Sequence, residues 1–236
     1  MTTTWNARVG PGRGAPTALF AAALALATLL GAAPGSAATL LAYANDGNPV
    51  TLAPTAVAAG VEAGDVARGP GLKLQNPEAT AFNSRNWTVA GDKETAVAAG
   101  SFLTWEFTAA RLVTLETLFI GFHSSLTGPG QVAIDLALDG GDFAEVFATT
   151  IDGPELRTAA IDLSGLAPAG VAAFRLVGWD ATGAWGMLRL MDADVPGLDG
   201  RVLVVAGTVA PIPLPPALPL LGAGLLLLAG LRRRPA

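Results

Sequence analysis

Glycine and proline interrupt this sequence so often that its central part has little room for long helices. The chain contains 29 glycines and 17 prolines among 236 residues, and both residue types weaken or break a helix. Between the interruptions, apolar and polar residues alternate with a period of two, which is typical of a strand with one buried face. Leu103, Trp105 and Phe107, for example, alternate with polar side chains. The sequence therefore predicts an all-β domain over residues 39–210.

Several short strands with turns between them are predicted in this domain. The clearest turn is Asp139-Gly140-Gly141-Asp142, because glycine adopts positive φ at little cost and so favours a tight hairpin. The segment Thr55–Val66 is too rich in alanine and glycine to assign. Strands are predicted at Leu40–Ala44, Leu72–Gln75, Trp87–Ala90, Leu103–Thr108, Leu118–His123, Gln131–Asp139, Phe143–Ile151, Arg157–Leu163, Ala172–Trp179, Met187–Asp192 and Arg201–Val209. Many short strands joined by glycine-rich turns predict a single jelly-roll-like β-sandwich.

Charge is distributed unevenly along the chain. All 19 acidic residues lie between Asp46 and Asp199, whereas five of the 14 basic residues lie near the two termini. The central part carries nine basic and 19 acidic side chains, a net charge of −10. A domain this acidic repels phosphate backbones, which argues against nucleic acid as a partner. The chain has no cysteine, so zinc fingers, thiolate catalysis and iron–sulfur clusters are excluded as well.

Residues 1–38 predict a signal peptide. The apolar run Ala18–Leu30 follows two arginines, and a helix-breaking proline and the small residues Gly35–Ala38 come after it. A positive flank, a short apolar core and a small-residue site are the three parts of a secretory signal. Cleavage fits after Ala37 or after Ala38. The alternative, a permanent transmembrane helix, fits less well because the apolar run is short.

Residues 211–236 predict a short transmembrane anchor. Five prolines in residues 211–219 favour an extended segment, and the apolar run Leu220–Leu231 follows. A helix of about 15 residues spans roughly 22 Å, less than the ~30 Å hydrocarbon core, although snorkelling arginines allow a marginal span. A basic cluster stays on the cytoplasmic side of the inner membrane, which leaves the domain outside the cytoplasm. The basic stop cluster is Arg232, Arg233 and Arg234.

The order of proline-rich motif, apolar helix and terminal arginines resembles the PEP-CTERM class of bacterial sorting tails, and most closely its VPLPA variant. Relative to that variant, Ile212 replaces valine and one proline is added. The resemblance implies that a membrane-embedded exosortase recognises the motif and cuts nearby, for release or transfer to the cell surface or the extracellular matrix. A plain tail anchor is the alternative, because it shares the apolar run and the basic cluster. The sorting motif would comprise Ile212, Pro213, Leu214, Pro215, Pro216 and Ala217.

The central strands are similar to the jelly-roll domains of PEP-CTERM-type exported proteins. The similar segments are Leu40–Tyr43, Phe174–Ala181 and Leu188–Asp192. This resemblance implies a fold and a location but no reaction.

No catalytic residue is predicted. His123 is the only histidine in the chain, and as a general base it would need a nucleophile and an orienting carboxylate close to it. The sequence has no Gly-x-Ser-x-Gly motif, so we interpret His123 as an exposed polar residue. A hydrolase with a dispersed active site at His123 is a third hypothesis for the function.

Aspartates that lie close in the sequence are the candidates for a metal site. Calcium prefers carboxylate and carbonyl oxygens, and Asp192 and Asp194 border the loop that leads into the last predicted strand. Their spacing does not match an EF-hand, and turns favour aspartate for local hydrogen bonds in any case. Calcium is the one cofactor that the sequence suggests.

Two tryptophans, Trp179 and Trp185, bracket a short connection that contains Asp180. If both rings are exposed, they can stack on sugar rings while the carboxylate of Asp180 binds hydroxyl groups. The alternative is that both rings close the end of the core, as large aromatic side chains usually do.

These patterns predict a non-catalytic exported protein. It would be anchored by its tail and processed by an exosortase-like enzyme for the cell surface or the extracellular matrix. The alternative function is a carbohydrate-binding module of the exopolysaccharide matrix, with an extracellular polysaccharide as its partner.

Overall fold

Strands make up most of the described residues, which are 37–48, 50–75 and 81–211 of the computed structural model. The all-β prediction is confirmed. The bounds of the thirteen strands and one short helix in this part of the chain are β1 (Ala38–Tyr43), β2 (Pro54–Val57), β3 (Val61–Ala63), β4 (Ala67–Arg68), β5 (Lys73–Leu74), β6 (Ala81–Arg85), α1 (Lys93–Ala98), β7 (Phe102–Ser124), β8 (Gln131–Leu138), β9 (Ala144–Thr150), β10 (Leu156–Asp162), β11 (Ala169–Trp179), β12 (Met187–Met191) and β13 (Leu203–Val209).

One long strand, β7, joins the two layers of the sandwich. Its first half pairs with β3, β4 and β11, and its second half pairs with β10, β12 and β13. The sequence predicted two separate strands here, Leu103–Thr108 and Leu118–His123, and that prediction is wrong. Residues 109–117 contain neither glycine nor proline, so nothing in the covalent chain stops the extended conformation between them.

A bulge in β7 keeps apolar side chains facing the core in both halves. The buried apolar side chains have odd numbers as far as Leu115, but even numbers beyond it, at Leu118, Ile120 and Phe122. Opposite this change, the pairing with β13 shifts register, which leaves Glu116 as the extra residue. One extra residue moves every following side chain to the other face. The bulge therefore turns the even-numbered apolar side chains of the second half toward the core.

The remaining strands extend both layers by antiparallel pairing. In the first layer, β11 pairs with β8, and β8 pairs with β9. In the second layer, β1 lies beside β13 and β2 beside β1, while β6 lies beside β12 and β5 beside β6. The coarse prediction of a β-sandwich agrees with this arrangement.

The core lies between the layers and is rich in aromatic side chains. Trp105 and Phe174 stack with ring centroids 5.2 Å apart and ring planes within 4° of parallel. Tyr43, from the second layer, crosses the core and donates a hydrogen bond from its hydroxyl to the carbonyl of Gly64 at 2.6 Å. Burying an aromatic side chain of this kind contributes about 1.5–3 kcal/mol. The hydrogen bond of Tyr43 links the second layer to the first, whereas the Trp105–Phe174 stack joins two strands of the first layer.

The sandwich has two distinct ends. At the bend end, β7 turns through residues 110–112; β13 reaches Val113 there, and the start of β1 lies beside Gly207. At the loop end, residues 86–90, 124–131, 150–153 and 180–187 connect the strands. The described chain therefore enters and leaves at the bend end.

Several sequence predictions need correction or addition. Trp87–Ala90 is not a strand: Trp87 is buried and donates its indole N–H to the carbonyl of Ser84 at 2.8 Å. The strand lies just before it, at β6. Short strands β2 and β3 lie within or beside the unassigned stretch Thr55–Val66, where alanine and glycine leave little alternation to read.

Both terminal predictions fall largely outside the described residues. This applies to most of the signal peptide, to the sorting motif Ile212–Ala217 and to the basic cluster Arg232–Arg234. Of the two candidate cleavage residues, Ala37 precedes β1 and Ala38 begins it. Within the described ranges, no helix has the length and apolar character needed to cross a membrane.

Candidate functional site

Backbone hydrogen bonds hold the loops of the loop end together. The amide of Ala181 donates to the carbonyl of Thr88 at 3.0 Å, and the amide of Ser125 donates to the carbonyl of Met187 at 2.9 Å. Gly186 lies directly against the carbonyl of Thr127, where a Cβ has no room. These contacts fix the connection between β11 and β12, which carries the residues that the sequence singled out.

Trp185 projects from this connection into solvent, with 70% of its surface exposed. The guanidinium carbon of Arg85 lies 4.1 Å from the centroid of its ring, in the geometry of a cation–π contact. Trp179, at the end of β11, is half-buried and lies opposite Gln131. The interpretation that both rings close the core is therefore wrong for Trp185.

Asp180 lines a polar cleft of about 240 Å³ at the same end. Its backbone has a φ of 60°, a left-handed conformation that aspartate tolerates in turns. Its carbonyl accepts a hydrogen bond from the amide of Gly130 at 3.2 Å. Hydroxyl, amide and carboxylate side chains dominate the cleft, and these include Ser124, Ser125, Gln131, Thr150, Asp152 and Thr182. Such groups match the hydroxyls of a polar ligand.

A second concave surface lies on the outer face of the first layer. This sheet groove has a volume of about 350 Å³, and its lining includes Asp65, Thr104, Glu106, Phe143 and Ala173. Thr104 and Glu106 alternate with buried residues along β7, so they point away from the core. Sequence reasoning missed this groove because its residues come from four separate segments. A clue was the strict alternation that places Thr104 and Glu106 on one face.

A buried ionic cluster lies beside this groove, on the same face of the first layer, since Arg175 is opposite Thr104 in the pairing of β11 with β7. Asp135 is 1% exposed, and Arg175 donates to one of its carboxylate oxygens from Nη2 at 2.7 Å and from Nε at 3.2 Å. Lys93, at the start of α1, places Nζ 2.5 Å from the other oxygen and 2.8 Å from Glu145. The guanidinium carbon of Arg175 also lies 4.3 Å from the ring centroid of Phe143. Asp135 thus fixes Arg175, and Arg175 supports the ring of Phe143.

The charge of Lys93 is maintained in this cluster. Burial by itself lowers the pKa of Lys93, but hydrogen bonds and charge interactions with Asp135 and Glu145 outweigh it, so the pKa is raised. Two cations therefore face Asp135 across the neutral pH range.

His123 is half-buried in β7, not fully exposed as the sequence suggested. Its cross-strand neighbours are Leu156 and Arg189. The hydroxyl of Ser124 donates to the carbonyl of Pro129 at 2.9 Å, and that of Ser125 accepts from the amide of Met187 at 2.9 Å. The hydrogen bonds of these two serines are thus directed to the backbone.

Of the two aspartates considered for calcium, Asp192 has a structural partner. One oxygen of Asp192 accepts from the amide of Asn45 at 3.2 Å, and Asp194 is exposed. Within residues 37–48, 50–75 and 81–211, no group of three or more His, Cys, Asp or Glu side chains is placed to hold a metal ion. The structure therefore adds no further acidic ligand to Asp192 and Asp194.

The fold of residues 37–48, 50–75 and 81–211 is that of a β-sandwich domain, and the polar cleft and the sheet groove are concave surfaces on it. No protein-family model matches the sequence, and no curated protein matches it. Among solved structures, a carbohydrate-binding module of family 29 is similar with a TM-score of 0.41 and 14% identity, over 73% of this chain and 90% of that chain.

Two mutants of a family 29 module named CBM29-2 are similar to a comparable degree. One, complexed with mannohexaose, has a TM-score of 0.41 and 14% identity over 73% of this chain and 93% of that one. The other, complexed with cellulohexaose, has a TM-score of 0.38 and 14% identity over 72% of this chain and 90% of that one. Sandwiches of one general shape serve many functions. The surfaces of this chain, and not its fold, therefore indicate its function.

Proposed function

We propose that this domain binds an extracellular polysaccharide without modifying it. The observation that carries the proposal is the exposure of Trp185, which has 70% of its surface in solvent and belongs to a residue type that is enriched at binding surfaces. The cation–π contact with Arg85 restricts the ring, and restricted aromatic rings bind a flat partner at a low cost in entropy.

The loop end also supplies polar groups for sugar hydroxyls. Asp180 belongs to the same connection as Trp185 and lines the polar cleft. An ionised carboxylate accepts hydrogen bonds from hydroxyl groups and strengthens them through its charge. An aromatic ring together with nearby carboxylates and hydroxyls suits a sugar better than an apolar ligand or a phosphate. In this proposal the ligand extends from Trp185 toward Asp180.

The test is binding of the purified domain to a panel of soluble polysaccharides, measured by affinity gel electrophoresis or a glycan array. Trp185→Ala is expected to weaken binding at least about tenfold, which corresponds to ~1.4 kcal/mol. Leu112→Ala is the matched control, since Leu112 is aliphatic, 55% exposed and lies at the bend end, outside the lining of the polar cleft. Wild-type protein that binds no polysaccharide, or a Trp185→Ala variant that binds as well as wild type, would overturn the proposal.

We further propose that the protein is exported, anchored by its C-terminal tail and processed by an exosortase-like enzyme. The support is the sequence: the signal-peptide pattern, the motif at Ile212–Ala217 and the basic cluster Arg232–Arg234. Cleavage after Ala37 would leave β1 complete, since that strand begins at Ala38. The jelly-roll description of the sandwich belongs to the same proposal, because it comes from the same resemblance.

Two variants separate exosortase processing from a plain tail anchor. Deletion of residues 211–236 is expected to release the protein from the membrane and to change its mature mass. Replacing Pro213 and Pro215 with alanine keeps the apolar run and the arginines, so it should retain the protein in the membrane at unprocessed mass. If wild type and the proline variant show the same mature mass and location by mass spectrometry and fractionation, exosortase processing is refuted.

A further inference from the structure

We propose that the sheet groove is a second carbohydrate-binding site, separate from the loop end and selective for uncharged or amine-bearing sugars. The inference rests on the proposed carbohydrate-binding function. It concerns different residues, because no side chain that lines the groove also lines the polar cleft. At about 350 Å³, the groove lies within the range of roughly 300–1,000 Å³ that ligand pockets occupy.

The aromatic wall of the groove is Phe143, which precedes β9 and is 40% exposed. The guanidinium carbon of Arg175 lies 4.3 Å from the centroid of this ring, in the geometry of a cation–π contact. Arg175 in turn is fixed by two hydrogen bonds to the buried carboxylate of Asp135. The ring is therefore preorganised, which reduces the entropy lost when a ligand binds.

Small side chains on the sheet leave room for a ligand beside this ring. Gly64, Ala67 and Ala173 line the groove together with the hydroxyl-bearing Thr104. Ala67 lies opposite Thr104 in the pairing of β4 with β7, and Ala173 lies opposite Glu106 in the pairing of β11 with β7. The pairing therefore places short side chains next to the two polar groups on β7.

Two of the polar groups in the groove are carboxylates, which accept hydrogen bonds and carry negative charge. Asp65 and Glu106 carry carboxylates, and Thr104 adds a hydroxyl. The cations beside the groove do not offset these carboxylates, because the charges of Arg175 and Lys93 are balanced by those of Asp135 and Glu145. Two carboxylates accept hydrogen bonds from sugar hydroxyls or ammonium groups, but they repel the carboxylates of uronic acids. The charge of the groove therefore defines the ligand class.

The experiment uses three soluble hexasaccharides as probes: cellohexaose, which is neutral, a glucosamine hexamer, which is cationic, and a mannuronate hexamer, which is anionic. Binding is measured by isothermal titration calorimetry on wild type, Trp185→Ala, Phe143→Ala and the double variant. We expect wild type to bind cellohexaose or the glucosamine hexamer at least tenfold more tightly than the mannuronate hexamer. Each single variant should retain weaker binding, and the double variant should bind none of the probes.

Charge selection is tested separately with Glu106→Gln. This change keeps the size of the side chain and a hydrogen-bonding group but removes one negative charge. It should weaken binding of the glucosamine hexamer and strengthen binding of the mannuronate hexamer, each by severalfold. Equal binding of the anionic and neutral hexamers by the Trp185→Ala variant, in which the groove is the remaining proposed site, would refute the selectivity.

Two controls address packing and folding. Leu156→Ala removes a side chain of similar exposure, 46%, from β10 in the second layer, and binding should be unchanged. Phe143→Leu keeps apolar packing on Arg175 but removes the flat ring, so it should weaken binding as Phe143→Ala does even if the alanine variant is less stable. If Trp185→Ala removes all binding and both Phe143 variants bind like wild type, the groove is not a site although the domain still binds sugar. If no probe or polysaccharide binds wild type, the proposed function fails first.

Discussion

Asp135 is a buried acidic residue whose charge is balanced by two cations. It is almost fully buried and interacts with Arg175 and Lys93, whose side chains are 16% and 20% exposed. A buried ion pair contributes little in comparison with a well-packed apolar pair, because desolvation offsets the attraction. Removing one partner is costly, however, since the other charges remain in place without compensation.

Asp135→Asn is therefore expected to lower the free energy of unfolding by about 3 kcal/mol. The value lies at the lower end of the roughly 3–5 kcal/mol found for broken buried pairs, because both cations keep some contact with water. Urea denaturation followed by circular dichroism measures it. Glu155→Gln is the matched control, because the pair of Glu155 with Arg157 is exposed and should contribute less than about 1 kcal/mol. Equal losses in the two variants would contradict the role given to Asp135.

Tyr43 makes the stability of the domain sensitive to alkaline pH. Burial raises the pKa of its hydroxyl well above the ordinary value, and the charges of Asp65 and Glu106 raise it further. The folded state therefore holds this proton more tightly than the unfolded state, whose tyrosine titrates near pH ~10. The associated stability is complete below about pH 10 and is lost as the pH rises beyond it.

The midpoint of urea unfolding is expected to fall as the pH is raised from about 9.5 to 11.5. Tyr43→Phe removes the titrating group, so its midpoint should fall less over the same interval. Some dependence should remain, because the pKa of Lys93 is also raised in the folded state and contributes with the same sign. Parallel curves for wild type and Tyr43→Phe would show that Tyr43 does not contribute.

At the scale of elements, β7 and its bulge decide which side chains face the core. Gly207, opposite the bulge, lies against the carbonyl of Thr114 and a methyl group of Leu40, so a Cβ there has no space. Gly207→Ala should destabilise the domain by about 1–3 kcal/mol, the usual range for overpacking. Gly165 has open space around the position of a Cβ, and Gly165→Ala should change stability by less than about 0.5 kcal/mol. Thermal unfolding of the two variants checks this, and similar melting temperatures would count against a tightly packed bulge.

The sequence predicts single strands and turns of this fold better than it predicts how the strands continue and pair. The hairpin between β8 and β9 follows from Asp139-Gly140-Gly141-Asp142, and both Asp139 and Gly140 have positive φ as such a turn requires. The continuity of β7 and the bulge at Glu116 do not follow, since each depends on pairing with strands far along the chain. Alternation with a period of two shows which side chains share one face of a strand. It does not show where a strand passes from one layer of the sandwich to the other.

The same limit applies to the candidate sites. Trp185 and Asp180 lie five residues apart, so their proximity could be proposed from sequence. Asp65, Glu106 and Phe143 are brought to one groove only by the pairing of β4, β7, β8, β9 and β11. No short sequence pattern links these three residues, so the sheet groove could not be predicted from the sequence.

At the scale of the whole molecule, the position of the two ends determines how a tethered domain would present its surfaces. The described chain ends at the bend end, where Ala210 donates its amide to the carbonyl of Leu112 at 2.9 Å. Val113 and Ser124 are separated by eleven residues of extended strand, or roughly 36 Å at 3.3 Å per residue. The loop end with Trp185 thus lies far from the point where a C-terminal tether would begin.

Since the chain has no cysteine, single-cysteine variants can test this orientation. Leu112→Cys labels the bend end, where Leu112 is 55% exposed, and Thr182→Cys labels the loop end. With the full chain in lipid vesicles, a lipid-attached quencher should reduce the fluorescence of a probe at Leu112→Cys and leave that at Thr182→Cys nearly unchanged. Equal quenching at both positions would mean that the domain does not stand with its loop end outward.

The place of β13 in the second layer has a mechanical consequence. It lies between β1 and β7, and its hydrogen bonds to both run perpendicular to the strand. A pull applied through Pro211 against a polymer held at the loop end acts along the strand axis. All the bonds of β13 are then loaded together in shear, and none is opened first by peeling. Such a domain would resist flow or drag best when the load is applied from its C-terminal end.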